Sequence, residues 1–274
     1  MRSKVVRLEI EFDGSNYFGW QFQPNHDTVQ GRLTQALTQL FGRLVTVTGV
    51  GRTDRGVSGL SYTVSFPYPV FSDKTGGREN RSSLPCPSIP ITRLANAINQ
   101  LLPQDIRVQR AAWAATDFNA RFRARSRLYR YTIVQGRSPL LRNRAWEVTY
   151  PLDIPAINRA LEFLPGRHDF ACLCRIRASL RPEATIVNII RARLRARRCA
   201  LTGYRLHQFE FEADHFLKLL VRRLVGILVD VGRGIAARAG LEPQAALAQA
   251  IAGSSPIQFT TAPASGLLFV RARY

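Results

Sequence analysis

The residues best equipped for chemistry are Gly51-Arg52-Thr53-Asp54-Arg55-Gly56-Val57, one carboxylate between two guanidinium groups on a glycine-bracketed turn. Glycine at 51 and 56 permits positive φ and close backbone approach, so Asp54 can stand clear of the main chain and face a ligand. Arg52 and Arg55 are spaced to keep that carboxylate ionised or to bind a phosphate beside it. The same heptapeptide also reads as a surface turn in which Asp54 caps a backbone N–H and both arginines are solvated. No P-loop, dinucleotide fingerprint or nucleophilic Ser/Cys with its His stands out, and Gly49-Val50-Gly51 alone is too short for a phosphate cradle. None of the four histidines is near Asp54 in sequence, which favours chemistry run by a carboxylate.

Three arginine-rich segments accompany this loop. Arg121, Arg123, Arg125 and Arg127 lie on one face of any extended chain, and Tyr129 and Tyr131 continue that face. A basic row ending in aromatics suits looped RNA, with guanidiniums for phosphates and rings for unstacked bases. It equally suits a solvated edge strand whose tyrosines fill the core. Arg191, Arg193, Arg195 and Arg197 repeat the period-two pattern, as expected for backbone contact or for charge that protects a strand edge. Arg222 and Arg223 interrupt the apolar run Phe216–Val231, where Asp214 is the expected N-cap. A guanidinium there needs a partner such as Asp54, or an opening to solvent.

Composition agrees with a polyanionic partner. The 274-residue chain has a formal charge of +20 and an apolar fraction of 46%, so a folded, strongly basic protein is expected. The charge is uneven: residues 1–117 carry 13 Lys+Arg against 9 Asp+Glu, and residues 118–274 carry 26 against 10. Nearly all of the second set is Arg, which forks onto phosphate and stacks on bases. No apolar run reaches the ~20 residues of a membrane span. Met1-Arg2-Ser3-Lys4 enters a strand pattern without a signal-peptide core, giving the expectation of a cytoplasmic protein. Cys86, Cys172, Cys174 and Cys199 form no framework; Cys172-Leu173-Cys174, with His168 upstream, is read as buried or idle thiols in preference to a metal site.

The elements that must position these residues fall into two similar series. Residues 5–12 alternate as a half-buried strand, a helix capped by Asp27 or Thr28 ends at Gly42, and Val45–Val50 and Leu60–Phe66 flank the Asp54 loop as strands. A Ser/Gly/Pro-rich insertion spans 67–90, then a helix at Thr92–Leu102 and a strand at Ile106–Trp113. The second series has strands at Leu128–Val134, Thr185–Arg197, Gly203–Ala213 and Leu267–Ala272. Its helices are Ile154–Leu164, Phe216–Val231 and Glu242–Ile251. The expectation is an α+β protein of two ferredoxin-like (βαββαβ) halves, residues 1–116 and 117–274, with antiparallel sheets joined around a central basic cleft.

Together these segments resemble the tRNA pseudouridine synthase A family. The resemblance rests on Phe12-Asp13-Gly14 with Phe18-Gly19-Trp20-Gln21, on Gly51–Val57, and on Phe118–Phe122 with Arg127-Leu128-Tyr129-Arg130-Tyr131. It continues through Gly166–Phe170, Ala213–Gly226, Thr261-Ala262-Pro263 and Gly266-Leu267. It implies isomerisation of uridine to pseudouridine at positions 38–40 of the tRNA anticodon arm, by a homodimer using neither metal nor cofactor. It further implies Asp54 as the catalytic aspartate, Tyr129 as the ring against the target base, Arg222 as the aspartate's partner, and Arg52 as an aid to base extrusion. The chain departs from the family pattern at Ser58 and Asn119, where His is usual, and at His215, Lys218 and Leu220 within the Ala213–Arg222 motif. The 67–90 insertion is longer than the pattern leads one to expect. The alternative is a non-catalytic RNA-binding protein or RNA chaperone using the same arginines.

Overall fold

The computed structural model describes residues 4–68, 89–174 and 182–274, so most of the 67–90 insertion and Cys86 lie outside the described residues. The protein is a mixed α+β structure that divides into two compact units, Met1–Ala124 with Tyr274, and Arg125–Arg273.

The first unit runs β1 (Val5–Phe12), α1 (Val29–Phe41), β2 (Thr48–Gly49), β3 (Ser58–Pro67), α2 (Ile91–Asn99) and β4 (Ile106–Ala114). β1 is central, antiparallel to β3 on one side and β4 on the other, and β2 pairs with β3. The alternation read from the sequence buries Val6, Leu8, Ile10 and Phe12 with Val29, Leu33, Leu37 and Phe41 of α1 and Leu94 and Ile98 of α2. Each such side chain contributes roughly 1.5–3 kcal/mol by leaving water. Thr28, not Asp27, caps α1 by accepting from the Gly31 N–H at 3.2 Å; Asp27 instead pairs with Arg32. Of the expected Val45–Val50 strand, Thr48 and Gly49 pair with Ser65 and Val64 of β3, and the Val50 N–H donates to Thr63 O at 2.9 Å.

The second unit runs β5 (Ser126–Gln135), β6 (Trp146–Val148), α3 (Ile154–Leu161), β7 (Gly166–Asp169), α4 (Ala171–Cys174), β8 (Ile186–Arg198), β9 (Arg205–Ala213), α5 (Leu220–Gly232), α6 (Ile235–Arg238), α7 (Pro243–Ala252) and β10 (Leu267–Arg273). Its antiparallel order is β10-β5-β9-β8-β7, with β6 parallel to β5. Asp153 caps α3 through the Ala156 N–H at 2.9 Å. α5 is buried almost all round, as its apolar sequence requires, and packs against α3, α7 and β5.

Two expectations are corrected here. α5 begins at Leu220, not Phe216, and Asp214 does not cap it: its Oδ1 accepts from the backbone N–H groups of Asn188 and His215 at 3.1 and 2.7 Å. The connection turns through Leu219 at φ 65°, a left-handed conformation unusual for a side-chain-bearing residue. The row Arg121–Arg127 is not one extended face either. Arg121, Arg123 and Arg125 sit in turns before β5, Asn119 Oδ1 accepts from the Arg121 and Phe122 N–H groups, and Arg123 pairs with Asp117.

Candidate functional site

Asp54 sits half-buried in the irregular loop between β2 and β3, flanked by exposed Arg52 and Arg55. The neighbouring segment, residues 13–20, holds this loop through its main chain. The Gly56 N–H donates to Tyr17 O (3.2 Å), the Trp20 N–H to Thr53 O (3.3 Å), and the Val57 N–H back to Asp54 O (3.2 Å). Tyr17 is buried and donates its phenol to Asp105 Oδ1 at 2.5 Å; burial, then Asp105, push that phenol well above its ordinary pKa. Beneath the loop, Trp20 and Tyr62 lie 4.5 Å apart between ring centroids, and the Tyr62 hydroxyl bonds the main chain of Gly51.

The backbones approach so closely that side chains are excluded. A Cβ on Gly14 would fall 2.0 Å from Val57 O, and one on Gly19, at φ +89°, 2.4 Å from Thr53 O. Of the two glycines bracketing Asp54, only Gly56 adopts positive φ, at 81°. Ser58, standing where the family pattern has His, accepts from the Gly14 N–H at 3.0 Å and thereby helps to seat this contact.

The flanking arginines are engaged beside the loop. Arg52 Nε donates to Gln21 Oε1 at 3.2 Å, and the Arg55 guanidinium lies 4.1 Å over the Phe18 ring, which stacks on His26 with centroids 4.1 Å apart. Tyr17, Gly14, Gly19, Tyr62 and Asp105 therefore shape the loop, although sequence reading gave them no role. The readable signal was Phe18-Gly19-Trp20, a glycine between two aromatics just after a strand, which marks a tight backbone crossing.

Tyr129 and Arg222 belong to the second unit. Tyr129, only 8% exposed, is held edge-on by Phe216 and Phe269, at 5.0 and 5.3 Å between centroids and interplanar angles of 80° and 87°. The late start of α5 has this use, since the bent Asp214–Leu219 connection brings Phe216 against Tyr129. Tyr131 is fully buried and donates to Pro263 O at 2.7 Å, so it is the more deeply buried of the two. Burial raises its phenol pKa far above the ordinary value, and the nearby Arg222 cation opposes the shift.

Arg222 Nε donates to Ala262 O at 2.7 Å, and the Arg222 carbonyl accepts from the Ala262 N–H at 3.1 Å. The chain at 260–262 is pressed onto α5: a Cβ on Gly226 would lie 1.8 Å from Thr260 O, and the Thr260 N–H donates to buried Asp230 at 2.8 Å. Arg223 finds the Leu173 carbonyl. With α5 starting at Leu220 the two arginines lie in its first turn, half-buried, and both meet backbone acceptors, which satisfies part of the cost of their burial. Burial pushes the Cys174 thiol up to about 11, so it stays protonated at neutral pH.

The β8 arginines divide into two kinds. Arg193 on one side and Arg130 on the other grip Glu210, Arg130 Nη2 at 2.9 Å; Arg191 and Arg273 hold Glu212 at 2.6 and 3.2 Å. Both glutamates are buried, at 5% and 4% exposure, and the arginine partners hold the Glu210 carboxyl below its ordinary pKa although burial raises it. Arg191 and Arg193 therefore neutralise internal acids. Arg195 and Arg197 face Gln208 and Leu206 and have no carboxylate partner among the described residues.

The family described as tRNA pseudouridine synthase matches residues 160–274. The tRNA pseudouridine synthase A of Caldicellulosiruptor bescii is 36% identical over 231 residues, 84% of this chain and 84% of that protein. That of Moorella thermoacetica is 35% identical over 273 residues, 98% of this chain and 99% of its own. That of Aquifex aeolicus is 32% identical over 262 residues, covering 95% of each. The chain is thus an isomerase of the pseudouridine-forming class. It belongs to the tRNA pseudouridine synthase A family.

Proposed function

We infer that this protein isomerises uridine to pseudouridine in tRNA, at positions 38–40 of the anticodon stem-loop, with Asp54 as its catalytic carboxylate. The observation that carries the reading is family membership over nearly the whole chain, Asp54 loop included. The strand orders β4-β1-β3-β2 and β10-β5-β9-β8 are the same permutation, which supports two ferredoxin-like halves. In this proposal the halves, 1–116 and 117–274, face a basic cleft that brings Asp54 and Arg52 to Tyr129 and Arg222.

The reaction breaks the N1–C1′ glycosidic bond, turns the uracil, and joins C5 to C1′, with the C5 proton lost and N1 protonated. The base must first leave its stack. Tyr129 would then lie against the uracil; its ring is already braced by Phe216 and Phe269, so little ordering entropy remains to be lost on binding. Arg52, exposed beside the loop, would take the place or the phosphate of the extruded nucleotide. Arg222, anchored through Nε to Ala262, would keep Asp54 anionic in the closed site. Asp54 would attack the base or C1′, or remove a ribose proton. By the same resemblance the enzyme is a homodimer with no metal or cofactor, and the reading of its N-terminal residues makes it cytoplasmic; among the described residues, no helix is long and apolar enough to cross a membrane.

The test is mass spectrometry and carbodiimide mapping of anticodon-arm uridines after incubating tRNA with purified protein. Pseudouridine at 38–40 with the native chain, and none with Asp54→Asn despite undiminished binding, is the expected pair of results. Conversion by Asp54→Asn, or binding without conversion by the native chain, overturns the reading; the latter would return the protein to a non-catalytic RNA binder.

A further inference from the structure

The far end of the β8–β9 hairpin has no part in the chemistry above, yet its charge is arranged unlike that of the rest of the sheet. Residues 195–205 contain Arg195, Arg197, Arg198 and Arg205 and no acidic residue. All four are exposed, and none has a side-chain ion pair, hydrogen bond or ring contact among the described residues. Along one face of β8 the cross-strand partner changes from glutamate to neutral: Glu212 and Glu210 stand opposite Arg191 and Arg193, but Gln208 and Leu206 stand opposite Arg195 and Arg197. On the other face Arg198 is directly opposite Arg205, a like-charge pair that disfavours the hairpin it sits in. Beyond Ile189, β8 has β9 as its strand partner and no pairing with β7.

Protection of a bare strand edge accounts for charge on β8. It does not account for Arg205 on β9, nor for positive charge on both faces of the ribbon end. A polyanion lying along the hairpin would remove the Arg198–Arg205 repulsion and give each guanidinium an acceptor.

We propose that the hairpin end formed by Arg195, Arg197, Arg198 and Arg205 is a second tRNA-docking site, which grips phosphates of a helical arm remote from the reacting uridine. It rests on the reading of the protein as a tRNA-modifying enzyme and extends it. Tyr129 pairs with Phe211 on β9, and Arg205 lies further along the same strand. At ~3.3 Å per residue the separation is roughly 20 Å. One flipped nucleotide does not span that distance; a stem of folded tRNA does. The contact is to phosphate, so it adds affinity without reading sequence.

The experiment compares the native chain with Arg195→Gln/Arg197→Gln/Arg198→Gln/Arg205→Gln on two substrates, full-length tRNA and an anticodon loop closed by a three-base-pair stem. On full-length tRNA the variant's KM rises about tenfold or more at moderate salt, and the slope of log K against log salt falls by about 3, at 0.7–0.9 per lost phosphate contact. On the same substrate kcat changes less than about twofold. On the short loop native and variant have the same KM, and the variant melts no lower than the native protein because a like-charge pair has gone. Equal losses on both substrates, an unchanged salt slope, or aggregation of the variant with full tRNA affinity retained would each overturn the proposal. A native chain that modifies neither substrate would instead refute the enzymatic reading itself.

Discussion

A single carboxylate carries the proposed chemistry, and the loop that bears it is seated largely through main chain. Asp54→Asn removes the charge and keeps the shape, so conversion of uridine should fall by about 10³-fold or more while tRNA binding is maintained; pseudouridine mapping against a binding titration checks both. The seat itself is tested at Gly19. Gly19→Ala forces a side chain onto a backbone at φ +89° and into Thr53 O, so a loss of about 2 kcal/mol or more in stability and a parallel fall in turnover are expected, by denaturant melts and initial rates. Under the proposed pairing of its guanidinium with the aspartate, Arg222→Leu should slow turnover more than it weakens binding. Equal losses would reassign Arg222 to RNA contact. At this scale the sequence displays the motif around Asp54 and is opaque for the residues that seat it. Gly14, Tyr17 and Asp105 act through backbone approach and one long-range hydrogen bond, which leave no local periodicity.

Among the elements, α5 and the sheet of the second unit carry the testable energetics. Gly226→Ala places a methyl group 1.8 Å from the Thr260 carbonyl, so α5 or the 260–262 chain must move; a destabilisation of about 2–3 kcal/mol is expected in a urea melt, with reduced turnover because Arg222 hangs from Ala262. Glu210 gives the acid limb of stability. Its carboxyl titrates below the ordinary value in the folded protein, so its contribution is complete above the unfolded pKa of about 4.3 and disappears as pH falls through the lower folded value. Glu210→Gln should therefore cost stability at pH 7, on the order of 2 kcal/mol, and cost progressively less on acidification below about pH 4, seen as a flatter melting-temperature profile. Strands and long helices were legible because their apolar periods of two and 3.6 are strong. The start of α5 was not: Asp214 has the right type for a cap, but tertiary hydrogen bonds to Asn188 and the need to seat Phe216 override that local preference. Arg121–Arg125 misled for a similar reason, since period two implies one face only if the chain is extended, and Asn119 folds it into a turn.

For the molecule as a whole, charge governs encounter. With a formal net charge of +20, tRNA association should be fast at low salt and weaken steeply as salt rises, a log–log slope of several units in a filter-binding or fluorescence titration. The charge total was plain in the sequence, but its division was not. Arg130, Arg191, Arg193 and Arg273 look identical to their neighbours in a linear reading, and only the register reveals that they serve buried Glu210 and Glu212. Family membership was recoverable from short motifs because those motifs join the Asp54 loop, the Tyr129 strand and the Arg222 helix in one order along the chain.

The main-chain cradle of Asp54 has a kinetic corollary. Peptide groups at Tyr17 and Trp20 neither titrate nor exchange counterions, so the backbone seat of the Asp54 loop is insensitive to the medium. Once every enzyme molecule is occupied, the pace of isomerisation is expected to stay level across a potassium chloride series, even as more tRNA is needed to reach that plateau.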